Sequence, residues 1–284
     1  MALNNKIDFA VVISVKNANP NGDPLNGNRP RTDFEGRGEI SDVCIKRKIR
    51  NRLQDMGERI FVQSDDRCDD GFTNLRDRAQ GDEELKKLMK GKDADGYAKK
   101  ACDKWIDVRS FGQVFAFKDR EKEGSVSIGV RGPVSVHTAV SVRPVDVTSM
   151  QITKSVNGEP GEKRGSDTMG MKHRVDFGVY IIYGSINPQL SEKTGFSDED
   201  AEKIKQALIS LFENDASSAR PDGSMEVHKV IWWKHNCRSG QYSSAKVHRS
   251  LIVNGDKIER ADDIAGNVQL TPLDGLEAQV FDGR

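Results

Sequence analysis

The chain has no net charge: 44 Lys and Arg face 44 Asp and Glu over 284 residues. Overall charge therefore names no partner, anionic or otherwise. Cysteine is scarce. Cys44, Cys68, Cys102 and Cys237 are scattered without a C-x-x-C pair, which argues against a zinc ribbon or a disulfide framework and suits a reducing compartment. No apolar run is long enough to cross a bilayer, and the N-terminus lacks a basic-then-apolar leader. The expectation is a soluble, cytoplasmic protein without a membrane partner. Neither G-x-x-x-x-G-K-[ST] nor G-x-S-x-G occurs, and Gly129-Val130-Arg131-Gly132 is too short and wrongly placed for a dinucleotide fingerprint. His228, His235, Cys237 and His248 have no zinc spacing. No metal and no cofactor are expected, and an ATPase or hydrolase finds no support.

What the chain does have is segregated charge. Residues 29–52 and 163–174 are basic, whereas 65–70 and 256–282 lean acidic. Such a neutral protein can bind an anion on one face and itself on another, although any single run also reads as ordinary solvated surface.

Alternation over 7–15, with Phe9, Val11, Ile13 and Val15 on one face, predicts a strand. Pro20, Gly22, Pro24 and Gly27 then enforce a loop. Ser41 is the expected N-cap of a helix to about Met56, with Ile45, Ile49 and Leu53 as its buried stripe. Residues 65–107 are polar and glycine-broken and read as a helical insertion. Strands are predicted over 125–130, 134–142, 175–186 and 225–233. Residues 148–174 read as a hairpin with a glycine-rich centre. Ser197 and Asp200 form a capping box for a helix ending near Asn214, with Ala201, Ile204, Leu208 and Leu211 inward. Without the insertions the order is βαββαβ, which predicts an α+β, ferredoxin-like/RNA-recognition-motif-like core. Past His235 the sequence is weakly patterned.

The basic helix is the first site candidate. Lys46 and Arg50 share a face with Arg47 beside them, and the helix start offers free backbone N–H groups to a phosphate. A solvent-exposed helix face is the plainer alternative. Asn19 and Asn21 lie in an oxygen-rich loop that lacks the alternating acids of an EF-hand. They fix the turn, touch a sugar or phosphate, or both. Met150, Ile152, Met169 and Met171 on the hairpin suit insertion between bases, packing on another subunit, or packing on the parent sheet. Asp33, alone among basic residues, is weak evidence for catalysis, and local pairing with Arg29, Arg31 or Arg37 is the stronger reading.

Taken together, Asn19-Pro20-Asn21-Gly22-Asp23-Pro24, Arg29-Pro30-Arg31-Thr32-Asp33, Gly38-Glu39-Ile40-Ser41-Asp42-Val43 leading into Lys46-Arg47-Lys48-Ile49-Arg50, Asp107-Val108-Arg109-Ser110-Phe111-Gly112, Gly129-Val130-Arg131-Gly132-Pro133-Val134 and the 169–178 segment resemble the CRISPR Cascade backbone subunit family. This is the RAMP-type, crRNA-binding family, and the type I-C version is nearest. The resemblance implies a right-hand shape: an RRM-like palm over residues 1–64, 108–147 and 175–236, a helical finger insertion over 65–107, a β-hairpin thumb over 148–174 and a C-terminal extension over 237–284. It also implies a helical filament of copies along a CRISPR guide RNA, target DNA bound through that guide, and other Cascade subunits as partners.

Carried onto this chain, the resemblance places Ser41, Lys46, Arg47 and Arg50 on guide phosphates, joined by Lys172, His173 and Arg174 at the thumb base. Ile152, Met169 and Met171 become the base wedge. The expectation is a non-enzymatic scaffold; the alternative is a guide-directed ribonuclease subunit using Asp33.

Overall fold

The strand expected at the N-terminus forms as β1 (Ile7–Ala18), and its side chains divide between two cores. Ile7, Phe9, Val11, Ile13 and Val15 enter one, and Ala10 and Val12 enter the other, as the period-two pleat requires. The computed structural model describes residues 2–116, 127–155 and 169–284. The glycine-rich centre expected at 157–165 and the start of the strand expected at Ser125 lie outside the described residues.

After β1 comes a short ladder of β2 (Gly22–Asp23) with β3 (Arg29–Pro30), then β4 (Arg37–Ile40) and helix α1 (Asp42–Asp55). Helices α2 (Leu75–Gln80), α3 (Glu83–Lys90), α4 (Ala94–Lys104) and α5 (Ile106–Phe111) precede a pair of strands, β5 (Gly112–Ala116) and β6 (Ser127–Arg131). Strands β7 (Val134–Val136), β8 (Ala139–Pro144), β9 (Val147–Thr153) and the long β10 (Met169–Ile186) lead to α6 (Pro188–Thr194) and α7 (Asp198–Ile209). The chain continues through β11 (Met225–Lys234), α8 (Ser244–His248), the pair β12 (Leu251–Val253) and β13 (Val268–Leu270), and β14 (Ala278–Asp282).

The main sheet runs in the order β14-β11-β1-β10-β8-β4, with β7 and β9 also paired to β10. Its inner pairs are antiparallel. Helices α1 and α7 pack on one face through Ile45, Ile49, Leu53, Ala201, Ile204 and Leu208. The predicted caps form: Ser41 begins α1, and Ser197 and Asp200 make a reciprocal capping box on α7. Helix α7 stops at Ile209 rather than near Asn214, since residues 211–214 form turns instead of a further helical turn.

The weakly patterned tail builds the other face. Val247, Leu251, Ile258, Ile264 and Leu276 bury against Ala10, Val12, Val179, Ile231 and Trp233. The extension is anchored by a polar cluster beneath it. Asp8 is fully buried and lies 2.9 Å from His235 Nε2 and 3.1 Å from Lys6 Nζ. The Gln241 backbone N–H donates to His235 Nδ1 at 2.9 Å, so the imidazole proton sits on Nε2, facing Asp8. Both faces of the sheet are therefore covered.

A third cluster unites Phe61, Leu85, Tyr97, Trp105, Val108, Phe115 and Ile128. This module is wider than residues 65–107: it recruits the β5–β6 pair, which lies within the 108–147 stretch expected in the palm but forms a separate two-stranded sheet packed through Phe115 and Ile128 on the helical cluster. Two quoted motifs meet at its base. A Cβ on Gly132 would overlap the Ser110 carbonyl and the Gly112 amide, and Gly112 itself has φ +79°. Only glycine fits that crossing.

Candidate nucleic-acid interface

The loop after β1 is held by its own asparagines. Asn19 is buried; its Nδ2 donates to the Asn28 carbonyl at 2.7 Å and its backbone N–H to that of Ala219. The Asn19 Oδ1 is also buried and has no hydrogen-bond partner among the described residues. Asn21 Oδ1 accepts the Ser41 backbone N–H at 2.9 Å, and Ser41 Oγ accepts that of Cys44 at 3.3 Å. These side chains fasten the loop to the start of α1, as short polar residues do at turns and caps.

The cations of α1 are mostly spent within the molecule. Lys48 is buried and paired with Asp215, and burial, its largest influence, holds its pKa below the usual lysine range. Arg50 Nε donates to Asp107 at 3.0 Å, and Arg52 reaches Ser210 and Glu213. Arg47 Nη1 donates to the Val62 carbonyl at 2.6 Å; burial first, then the Arg50 charge, lowers its pKa. Lys46 is half-buried and pairs with Asp42 at 2.9 Å one turn back, a contact within one helix of the kind that contributes only on the order of a few tenths of a kcal/mol. Sequence spacing gave the face each cation shares but not the carboxylates that other elements bring to it.

The base of the β9–β10 hairpin gathers a different set. Strands β9 and β10 pair with Met169 opposite Thr153, Gly170 opposite Ile152, Met171 opposite Gln151, Lys172 opposite Met150, His173 opposite Ser149 and Arg174 opposite Thr148. Directly opposed residues share a face, so Met169, Met171 and His173 lie on one side while Ile152, Lys172 and Arg174 lie on the other. The three wedge residues are half-exposed or more, but they are not one cluster. Arg29 arrives from the first loop: its Nη1 donates to Ser149 Oγ at 2.7 Å, and that oxygen lies 2.8 Å from His173 Nδ1. Arg174 lies 3.5 Å from Asp176, which accepts from Thr148 Oγ1 at 2.7 Å. Arg29 and Ser149 join the first loop to the β9–β10 hairpin and were not among the candidate site residues, although Arg29 stood in a quoted motif.

Asp33 caps a turn. Its Oδ1 accepts the backbone N–H of Glu35 at 2.9 Å and of Arg37 at 2.8 Å. The expected guanidinium pairing goes elsewhere, Arg31 to Asp23 and Arg37 to Glu35. Among the described residues no three His, Cys, Asp or Glu side chains form a metal-holding group. No helix among them is long and apolar enough to cross a membrane.

The family model of the CRISPR-associated protein Cas7 matches residues 5–271. The chain belongs to the Cas7 family. A curated relative, the CRISPR-associated protein Cas7 of Haloferax volcanii, is 27% identical over 228 residues, covering 75% of this chain and 66% of that protein's length. A chain of the solved "CRISPR RNA-guided surveillance complex, pre-nicking" superposes with a TM-score of 0.50 at 16% identity, covering 89% of this chain and 84% of the other. That likeness establishes a shared mixed helix-and-sheet fold. Within the Cas7 family match fall the first loop, α1, strands β9 and β10 and most of the C-terminal extension.

Proposed function

We propose that this chain is the repeated backbone subunit of a type I-C Cascade surveillance complex, a cytoplasmic, non-catalytic scaffold that polymerises along crRNA. Cas7 membership over residues 5–271 carries the reading. The palm is ferredoxin-like: the antiparallel order β11-β1-β10-β8, with α1 after β1 and α7 after β10, supports it. The module around residues 61–130 serves as fingers and the β9–β10 hairpin as thumb.

The chain grips guide phosphates through Arg29, Lys46, Lys172, His173 and Arg174, with Asn19, Asn21, Ser41, Arg47 and Arg50 shaping the loop and helix behind them. Base recognition belongs to the guide, which pairs with target DNA. Both sheet faces are occupied, which supports backbone gripping over base stacking on the palm. Other copies of the chain and the remaining Cascade subunits complete the particle.

Co-expression with a CRISPR array and companion subunits, followed by sequencing of the bound nucleic acid, tests this. A uniform guide RNA in a multi-copy particle is expected; a nucleic-acid-free monomer overturns the scaffold. The ribonuclease alternative is disfavoured by the capping role of Asp33. If complementary RNA were cut by the wild type and not by Asp33→Ala, the enzyme would replace the scaffold.

A further inference from the structure

We infer that Ser149 is a positioning residue: it sets Arg29 of the first loop and His173 of β10 as the two sides of one seat for a single guide phosphate. The inference rests on the scaffold reading and names the group that prepares its grip.

Arg29 stands on a fixed base. Its backbone pairs with Asp23 in the β2–β3 ladder, Pro30 beside it is buried, and the preceding carbonyl, that of Asn28, accepts from the buried Asn19 at 2.7 Å. From there Nη1 donates to Ser149 Oγ at 2.7 Å and Nη2 to the Val147 carbonyl at 3.4 Å. Nε and one N–H on each terminal nitrogen are left for a ligand.

His173 stands directly opposite Ser149 in the β9–β10 ladder, which puts both side chains on one face. Its Nδ1 lies 2.8 Å from the same Oγ. A guanidinium can only donate, so the oxygen accepts from Arg29 and its own proton goes to Nδ1. That leaves the imidazole proton on Nε2, at the far side of the ring, where it can meet an acceptor. One hydroxyl therefore fixes a guanidinium and a tautomer together, as an outer partner does for a metal-ligating histidine.

The seat offers donors and no opposing charge. Among the described residues neither Arg29 nor His173 has a carboxylate partner. The cations of α1 differ, since Lys48, Arg50 and Arg52 are held by Asp215, Asp107 and Glu213. Two nitrogens that share one oxygen partner are close enough to reach a single phosphate, and a guanidinium beside an imidazole N–H suits its oxygens. Ser149 is exposed, so the seat is open to solvent. Lys172 and Arg174 lie on the opposite face of the hairpin and serve a different phosphate, while Met169 and Met171 share the face of His173.

The test uses the full chain and a single-stranded RNA long enough for one copy. Ser149→Ala should weaken binding by about fivefold, the loss of about one hydrogen bond. Ser149→Thr, which keeps the hydroxyl on a strand-favouring side chain, should restore it. On a chain already carrying Arg29→Ala and His173→Ala, adding Ser149→Ala should change affinity by less than about twofold. Imidazole nitrogen shifts measured by NMR should show the Nε2–H form of His173 in the wild type and a mixture of tautomers in Ser149→Ala. Wild-type affinity in Ser149→Ala, a loss that Thr does not restore, or an undiminished loss on the double variant overturns the positioning role. If the wild type binds no RNA, the scaffold reading fails instead, and inorganic phosphate decides the seat alone. His173 resonances that move with phosphate in the wild type but not in Arg29→Ala uphold it; unmoved resonances in the wild type remove it.

Discussion

Arg50 Nε donates to the Asp107 carboxylate at 3.0 Å, tying the basic helix α1 to helix α5. Asp107 is buried, and it also accepts the backbone N–H groups of Phe61 at 2.7 Å and Val62 at 3.1 Å. One carboxylate thus serves three donors. Asp107→Ala should cost about 3–5 kcal/mol, because a half-buried guanidinium and two N–H groups lose their partner together. Urea unfolding measures this, and Asp107→Asn should recover part of the loss. Unchanged stability in Asp107→Ala would mean that Arg50 is free to turn toward a phosphate.

The proposed backbone gripping should make affinity fall with salt for every guide sequence alike. Each phosphate contact on single-stranded RNA contributes a slope of about 0.7 in log K against log salt. Replacing Arg29 and Lys172 together with Ala should therefore flatten that slope by about 1.4. Filter binding over a salt series reads it. A changed base preference with an unchanged slope would contradict the phosphate assignment.

The β9–β10 register divides the wedge candidates. Met169 and Met171 share a face with His173, and Ile152 lies on the opposite face beside Lys172. A 2-aminopurine placed along bound RNA brightens where a base is unstacked. Met169→Ala with Met171→Ala should dim that signal, and Ile152→Ala should not. Equal loss from both faces would show that the hairpin tip, rather than one side of it, enters the stack.

The anchor under the C-terminal extension is sensitive to pH. Burial, the largest influence on His248, holds its pKa below 6.5, with the Gly184 carbonyl and Asp8 opposing. Burial pushes Asp8 up, but His235, Ser244 and Lys6 together hold it below 3.8. Both groups bind protons more readily when unfolded. Stability is therefore full above pH 6.5, declines as pH falls below it, and declines again below 3.8. Urea midpoints across this range should follow that order, and His248→Gln should flatten the first decline. A midpoint that rises on acidification would reverse the assignment.

Much of this architecture was legible because local rules coincide with the fold. Strict alternation marked β1, the recurrence of Ile45, Ile49 and Leu53 marked the inner side of α1, and Ser197 with Asp200 marked the start of α7. What escaped depends on residues far apart in sequence. Lys48 is buried because Asp215, 167 residues later, meets it. Arg29 reaches Ser149 across 120 residues. The extension past His235 has only short strands, short helices and turns, so no period reveals that Val247, Ile258 and Ile264 cover a sheet. Spacing along a chain reports which side chains share a face; it is silent about what arrives opposite them.

That covering has a bearing on how such a protein keeps pace with its targets. A chain whose broadest strand surface is sealed by its own tail has no platform left for discriminating one nucleotide from another. Under the proposed scaffold role, every newly acquired guide would fit without any change of amino acid, and the burden of adaptation would fall wholly on the genetic record that supplies the RNA.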